Sequence, residues 1–339
     1  MKTILIFSFF FLTLALNATI ITVDNNYPSM GNFTTLQAAH DAAVNGDSIL
    51  AFPSDYAYQA ITVTKDLTFL GNGFRAQNGI KTARINGTMV FNLGSNNSEL
   101  TGFDCYGREL SVVIDANNIT IQRCFLRQIT INANHLGTHL LQNFFDSDIY
   151  EGWTILVLQG NQITIENNLI KNTTYASIYT TSGCVKFEEN VDGLVANNVI
   201  NAGNVIGYDI GWIFAIWSAN ANYTVKNNII LSGKCEGNGN RYFNNMHSYS
   251  FLPGGNGNLT NVNMNTVFVN YQQDNYHLKT GSPALGSGFN NTDMGMYGGD
   301  FPFIDGGYPD LPAIYYINVP SKASKQGGVN VTIKAKSKN

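Results

Sequence analysis

Six side chains between positions 186 and 247 are of the types that recognise or cleave sugars: Lys186, Glu188, Trp217, Arg241, Tyr242 and His247. Lys186 and Glu188 lie in the alternating stretch Cys184 to Asn190, and Trp217 lies in a second such stretch, Trp212 to Asn220. With Trp153 to Asn161, these stretches read as equivalent strands in three successive repeats. If Phe187 and Ile216 point inward, a period of two turns Lys186, Glu188 and Trp217 outward on neighbouring strands. An indole face stacks on the apolar face of a sugar ring, while an ammonium and a carboxylate take its hydroxyls or a carboxylate. Lys186, Glu188, Arg241 and His247 are the candidate catalytic groups, as base or acid. Trp217 and Tyr242 are the candidate carbohydrate-binding surface. The competing reading is a solvated salt bridge beside a packing tryptophan.

Other residues point less clearly to chemistry. His135 and His139 stand four apart, but they lack the HExxH glutamate, and the surrounding chain is strand-like, so no metal site is expected. Asp146, Asp148 and Glu151 could hold Ca²⁺, although a soluble loop explains them as well; no other cofactor is expected. Asp293, Asp300 and Asp305 lie among glycines, where turn formation accounts for them. The four cysteines, Cys105, Cys124, Cys184 and Cys235, form no CxxC or metal-type cluster.

Short strands must position these groups. From Ile61 onward a phrase recurs: Leu67-Thr-Phe-Leu-Gly-Asn, Leu100-Thr-Gly-Phe-Asp-Cys, Ile119-Thr-Ile-Gln-Arg-Cys, Ile163-Thr-Ile-Glu-Asn-Asn, Leu194-Val-Ala-Asn-Asn and Tyr223-Thr-Val-Lys-Asn-Asn. Each alternates apolar and polar residues, closes in a polar turn and is often followed by a second β-branched pair. The Asn-Asn pairs at 167/168, 197/198 and 227/228 are 30 residues apart, a spacing typical of stacked solenoid coils. An Asn at each corner accepts left-handed backbone and can hydrogen-bond to the coils above and below. Aligning the phrases puts Cys105 and Cys124 in the same slot of adjacent turns, as a disulfide or as an inward stack of thiols. Helices able to cover a doubly wound sheet are absent; the one clear helical period, Phe33 to Ala43, can be capped by Thr34 or Thr35. The fold class is all-β: a right-handed parallel β-helix of roughly eight to ten coils with a short N-terminal capping helix.

Composition narrows the role. Charged residues are 12% of the chain and the net charge is -4. So few cations exclude a phosphate-neutralising nucleic-acid binder. Hydrophobic residues at 44% exclude a disordered chain. Lys2 followed by the apolar run Ile4 to Leu16 has the layout of a secretory signal peptide ending at Ala18, so no membrane span is expected after cleavage. The expected organisation is a signal peptide over 1–18, a β-helix over 19–308, and a tail or accessory strand segment over 309–339.

Two segments also resemble a known family. The string TTLQAAHDAAVNGDSILAFPSDY, Thr34 to Tyr56, resembles the opening of pectate-lyase-like β-helix proteins, where an amphipathic helix caps the solenoid. The phrases Tyr276-His-Leu-Lys-Thr-Gly-Ser-Pro-Ala-Leu-Gly-Ser-Gly and Asp293-Met-Gly-Met-Tyr-Gly-Gly resemble the closing segment of secreted bacterial β-helix proteins common among Bacteroidetes, with Met296 replacing an alanine. The resemblance implies a polysaccharide or surface glycan as partner, bound along an exposed parallel-sheet face outside the cell. The sequence departs from the enzymes of that group. It has neither the paired aspartates and Gly-His-Gly of polygalacturonase-like hydrolases nor the clustered aspartates of calcium-dependent pectate lyases. A carbohydrate-binding β-helix is therefore the leading expectation, with a polysaccharide lyase or glycoside hydrolase and a structural or adhesive surface protein as alternatives.

Overall fold

The computed structural model describes residues 18–75, 81–105, 110–148, 152–172, 181–203, 213–310, 313–318 and 331–336. The strands stack into sheets of eleven, eight and seven strands, called here the first, second and third sheet, and every pairing within them is parallel. Each coil visits them in fixed order. Val112–Ile114 lies in the second sheet, Thr120–Gln122 in the first and Phe125–Leu126 in the third, and Ile129–Ile131 returns to the second. This is the expected right-handed parallel β-helix. Helix Leu36–Ala42 follows Thr35, whose hydroxyl accepts the Ala38 N–H at 3.2 Å and so caps it.

Alternation within each phrase selects the inward residues, and stacking puts them in register. Ile49, Phe69, Leu100, Ile121, Leu140, Ile165, Val195 and Val225 form one unbroken buried row along the first sheet. Cys105, Leu126, Phe145, Ile170, Ile200, Ile230 and His247 form the corresponding row of the third. No short coil could bury such a row alone; stacking removes it from water at about 25 cal/mol per Å² of apolar surface.

The asparagine corner divides its work between two positions. Asn167, Asn197, Asn227 and Asn244 take positive φ, as do Arg123 and Gln142 at the equivalent corner of earlier coils. The residue that follows carries the ladder. Asn143, Asn168, Asn198, Asn228 and Asn245 are each wholly buried, and each backbone N–H donates to the amide oxygen of the next rung, ending at Asn258, over 2.8–3.1 Å. The side-chain NH₂ of each donates to a carbonyl one coil back, from Asn143 to Ile121 O at 2.8 Å through Asn245 to Val225 O at 2.8 Å. Buried amides this fully paired stabilise, whereas an unpaired one would cost about 1–3 kcal/mol.

Cys124 is the first rung of this ladder. Its N–H donates to Asn143 Oδ1 at 3.0 Å, and its thiol points at Leu100 O at 3.6 Å, as the amide NH₂ groups do higher up. This corrects the expected pairing with Cys105. Ile121 is in register with Leu100, and Cys105 lies beside Leu126, so the two phrases are offset by two residues. A slip of two preserves every inward and outward position, which is why alternation alone does not detect it. Both cysteines are buried free thiols, not a disulfide. Burial pushes the Cys124 thiol up to about 12 and holds the Cys105 thiol well above its usual range.

The closing segment runs back along the coils. Phe289 N–H donates to Asn227 Oδ1 at 2.7 Å, Asn197 Nδ2 reaches Asp293 O at 3.2 Å, and Asn167 Nδ2 reaches Gly298 O at 2.6 Å. Further back, Gln142 Nε2 reaches Pro302 O at 2.6 Å and Arg123 meets Asp310 at 2.7 Å. This strap buries Met294, Met296 and Phe303 against Phe144, Leu169, Val199 and Ile229 on the outer side of the third sheet. Beyond it, Ala313–Asn318 and Thr332–Lys336 form a separate antiparallel pair.

Candidate functional site

The third sheet is covered on both faces, which leaves the outer faces of the first and second, and the sugar-type residues Lys186, Glu188 and Trp217 belong to the second. Trp153–Val157, Ser182–Phe187 and Ile213–Asn220 are consecutive strands there, as their shared pattern predicts. Phe187 and Ile216 are buried in the interior cluster, and Lys186 lies directly beside Trp217 in the parallel register. Two consecutive residues of each later strand join the interior, Cys184 with Val185 and Ala215 with Ile216. The register shifts between Phe214 and Ile216 against the next strand, the mark of a bulge, and Trp153 and Phe214 belong to neither buried cluster but pack on the same side as Trp217.

The result is an aromatic cluster that carries one ion pair. Trp153 stacks on Phe214 across 6.1 Å between ring centroids at 29°, and lies 6.1 Å from Trp217 at 38°. Gly183 sits between Trp153 and Phe214 in register, and a Cβ there would fall 2.8 Å from the Trp153 ring and 2.1 Å from Phe214 O. Only glycine lets the two rings meet. Lys186 Nζ lies 5.0 Å from the Trp217 centroid, 5.9 Å from that of Trp153 and 2.5 Å from Glu188 Oε1. Each of these contacts is worth at most about 1 kcal/mol at a surface, so together they orient the ammonium more than they stabilise the fold. Trp153 and Phe214 are 7% and 4% exposed, whereas Trp217 is only half-buried and offers the accessible ring.

The other expected site residues lie elsewhere. Arg241 is exposed on the first sheet, with its guanidinium 3.2 Å from Thr224 Oγ1. Its neighbour Tyr242 points the opposite way, into the core beside Val225, so it is no carbohydrate platform. His247 is wholly buried at the end of the third-sheet interior row. Its Nδ1 accepts the Tyr249 N–H at 2.9 Å and its Nε2 donates to Gly233 O at 2.8 Å, which defines a neutral, saturated imidazole. Burial holds its pKa below 6.5. Lys186 and Glu188 thus meet, while Arg241 and His247 belong to other sheets, and the four do not form one cleft.

The remaining acidic and histidine candidates have local partners. His135 Nε2 is 2.8 Å from Asp115 Oδ1, and His139 stands on a different strand of the first sheet. Asp148 pairs with Arg127 and Asp146 lies 3.9 Å from Lys171; Glu151 and Trp212 fall outside the described residues. Burial raises the Asp146 pKa against the pull of Lys171. Asp293 accepts the Gly286 N–H at 2.8 Å, and Asp305 accepts the Tyr297 hydroxyl at 2.8 Å, both within the closing segment. Asp300 bears on Glu166, whose pKa burial raises. Among the described residues no group of three or more His, Cys, Asp or Glu is placed to hold a metal ion.

No family model matches the chain, and no curated protein matches it. Among solved structures it is similar to pectate lyase Pel9A, at 12% identity and a TM-score of 0.37, over 83% of this chain and 97% of that one. It is also similar to the pectin methylesterase from Aspergillus niger in deglycosylated form, at 12% identity and a TM-score of 0.32, over 71% of this chain and 83% of that one. At these scores the likeness extends to neither chemistry nor substrate. No helix among the described residues is long and apolar enough to cross a membrane.

Proposed function

We propose that this chain is an extracellular or cell-surface protein that binds polysaccharide along the outer face of its second sheet, without cleaving it. The observation that carries the reading is the outward cluster of Trp153, Phe214 and Trp217 with Lys186 and Glu188 fixed against it. A ring surface gives a sugar apolar contact, and a held ion pair beside it offers both donors and acceptors to hydroxyls. The dispersal of Arg241 and His247 favours recognition over lyase or hydrolase chemistry, because proton transfer needs its groups within hydrogen-bond reach of one substrate. The leader-like Met1 to Ala18 supports the extracellular setting.

A polysaccharide panel tests this, read for binding and for product release, with and without Ca²⁺. The proposal expects retention on at least one polymer, no released oligosaccharide, and no change on chelation. Trp217→Ala should weaken binding by about tenfold, since a stacked aromatic contributes about 0.5–1.5 kcal/mol beyond its buried area. Released unsaturated or reducing ends would replace this reading with an enzymatic one, and silence across the panel would favour a structural role.

A further inference from the structure

The charges around the ring cluster bear on which polysaccharides it accepts. On the outer face of the second sheet, Leu156, Lys186, Trp217 and Glu236 form one register row, and Lys234 lies beside Phe214. Glu188 closes on Lys186 at 2.5 Å. The cations of this patch are thus Lys186 and Lys234, offset by the carboxylates Glu188 and Glu236, and the exposed Glu189 beside Glu188 in the chain adds a further negative charge, so no cation is in excess among the described residues.

An acidic polymer needs the opposite balance. A chain of uronate residues carries one carboxylate per sugar, and binding it requires unspent cations along its path to offset desolvation. Here the ammonium nearest the rings is already engaged by a carboxylate and two indole faces, and the whole chain carries a net charge of -4. A neutral pyranose meets no such penalty. Its apolar face can lie against Trp217, and its hydroxyls can donate to Glu188 and accept from Lys186 without net charge transfer.

We infer that the site selects uncharged polysaccharides, chains of neutral pyranoses, and discriminates against polyuronates. This rests on the carbohydrate-binding reading above. The test measures the full chain against a neutral β-glucan, a galactomannan, polygalacturonate and alginate at low and high salt. The expected result is binding to a neutral polymer that changes less than about threefold between about 0.02 and 0.5 M NaCl, with polyuronates at least about tenfold weaker. Tighter, salt-sensitive binding of either polyuronate would overturn the inference while leaving carbohydrate recognition intact. Absence of binding to both classes would overturn both. Glu188→Gln provides the second arm: it frees Lys186, so polygalacturonate affinity should rise severalfold at low salt, and an unchanged preference in that variant would count against the inference.

Discussion

Single residues show where alternation suffices and where it does not. Lys186, Glu188 and Trp217 were legible from the sequence because each sits one pleat from a large apolar residue that could only be core. Arg241 and Tyr242 are adjacent, so alternation forbids both from facing out, and the structure sends Tyr242 inward. Trp153, Gly183 and Phe214 were hidden because paired inward residues at 184/185 and 215/216 break the period of two. The isolated glycine in an otherwise strand-like stretch was the available signal, since it marks a close approach. His247 yields a pH prediction. Its folded pKa lies below 6.5, so above that value both folded and unfolded forms are neutral and nothing is lost. As pH falls below about 6.5 the unfolded chain takes up a proton that the folded one refuses, and stability declines until the folded pKa is passed. His139, also lowered by burial, contributes in the same window. His247→Gln should flatten this decline in the urea midpoint measured across that range; an unchanged slope would show that His247 is not buried neutral. The cysteines give a second test. All four are free, three of them buried and Cys235 half-buried, and desolvation lifts the Cys124 thiol up to about 12. A thiol reagent should react slowly with the native protein and titrate four groups once it is denatured, whereas two or fewer would establish a disulfide.

At the scale of elements, the asparagine corner does the most to specify the fold. The regular pairs at 167/168, 197/198 and 227/228 announced it, but the ladder extends beyond them through Asn143, Asn245 and Asn258, where coil lengths of 25, 17 and 13 residues conceal the repeat. Coil length can vary because insertions fall in the connections between strands, while the corner geometry stays fixed. Asn198→Ala removes the acceptor for Asn168 and the donor to Ile165 O, leaving both partners buried. It should cost about 3 kcal/mol or more in denaturant unfolding, against less than about 0.5 kcal/mol for Asn265→Ala at an exposed position. Equal effects would mean that the ladder is decorative. Cys124 interrupts this pattern with a weak donor in an amide's place, and the fold tolerates it at the ladder's first rung.

Across the whole molecule, the closing strap decides which faces remain open. Its two phrases were recognisable in the sequence, but their path was not, because contacts such as Asn167 to Gly298 join residues 131 positions apart with no periodic trace. By covering the third sheet it leaves the outer faces of the first and second open, the second with the half-buried Trp217, Lys186 and Glu188. Met296→Asp would place a carboxylate at a position 2% exposed, and should lower stability by about 3 kcal/mol or more and increase binding of a hydrophobic dye. Unchanged stability would show that the strap does not pack as described.

The central claim is that a sugar sits on the ring cluster of the second sheet, and intrinsic tryptophan fluorescence reads this most directly. The chain has 3 tryptophans, of which Trp153 and Trp217 lie in the cluster. Titration with a neutral oligosaccharide should produce a saturable change in emission that Trp217→Ala abolishes or weakens by about tenfold. A saturable change that persists undiminished in Trp217→Ala, or binding with no change in emission at all, would contradict it.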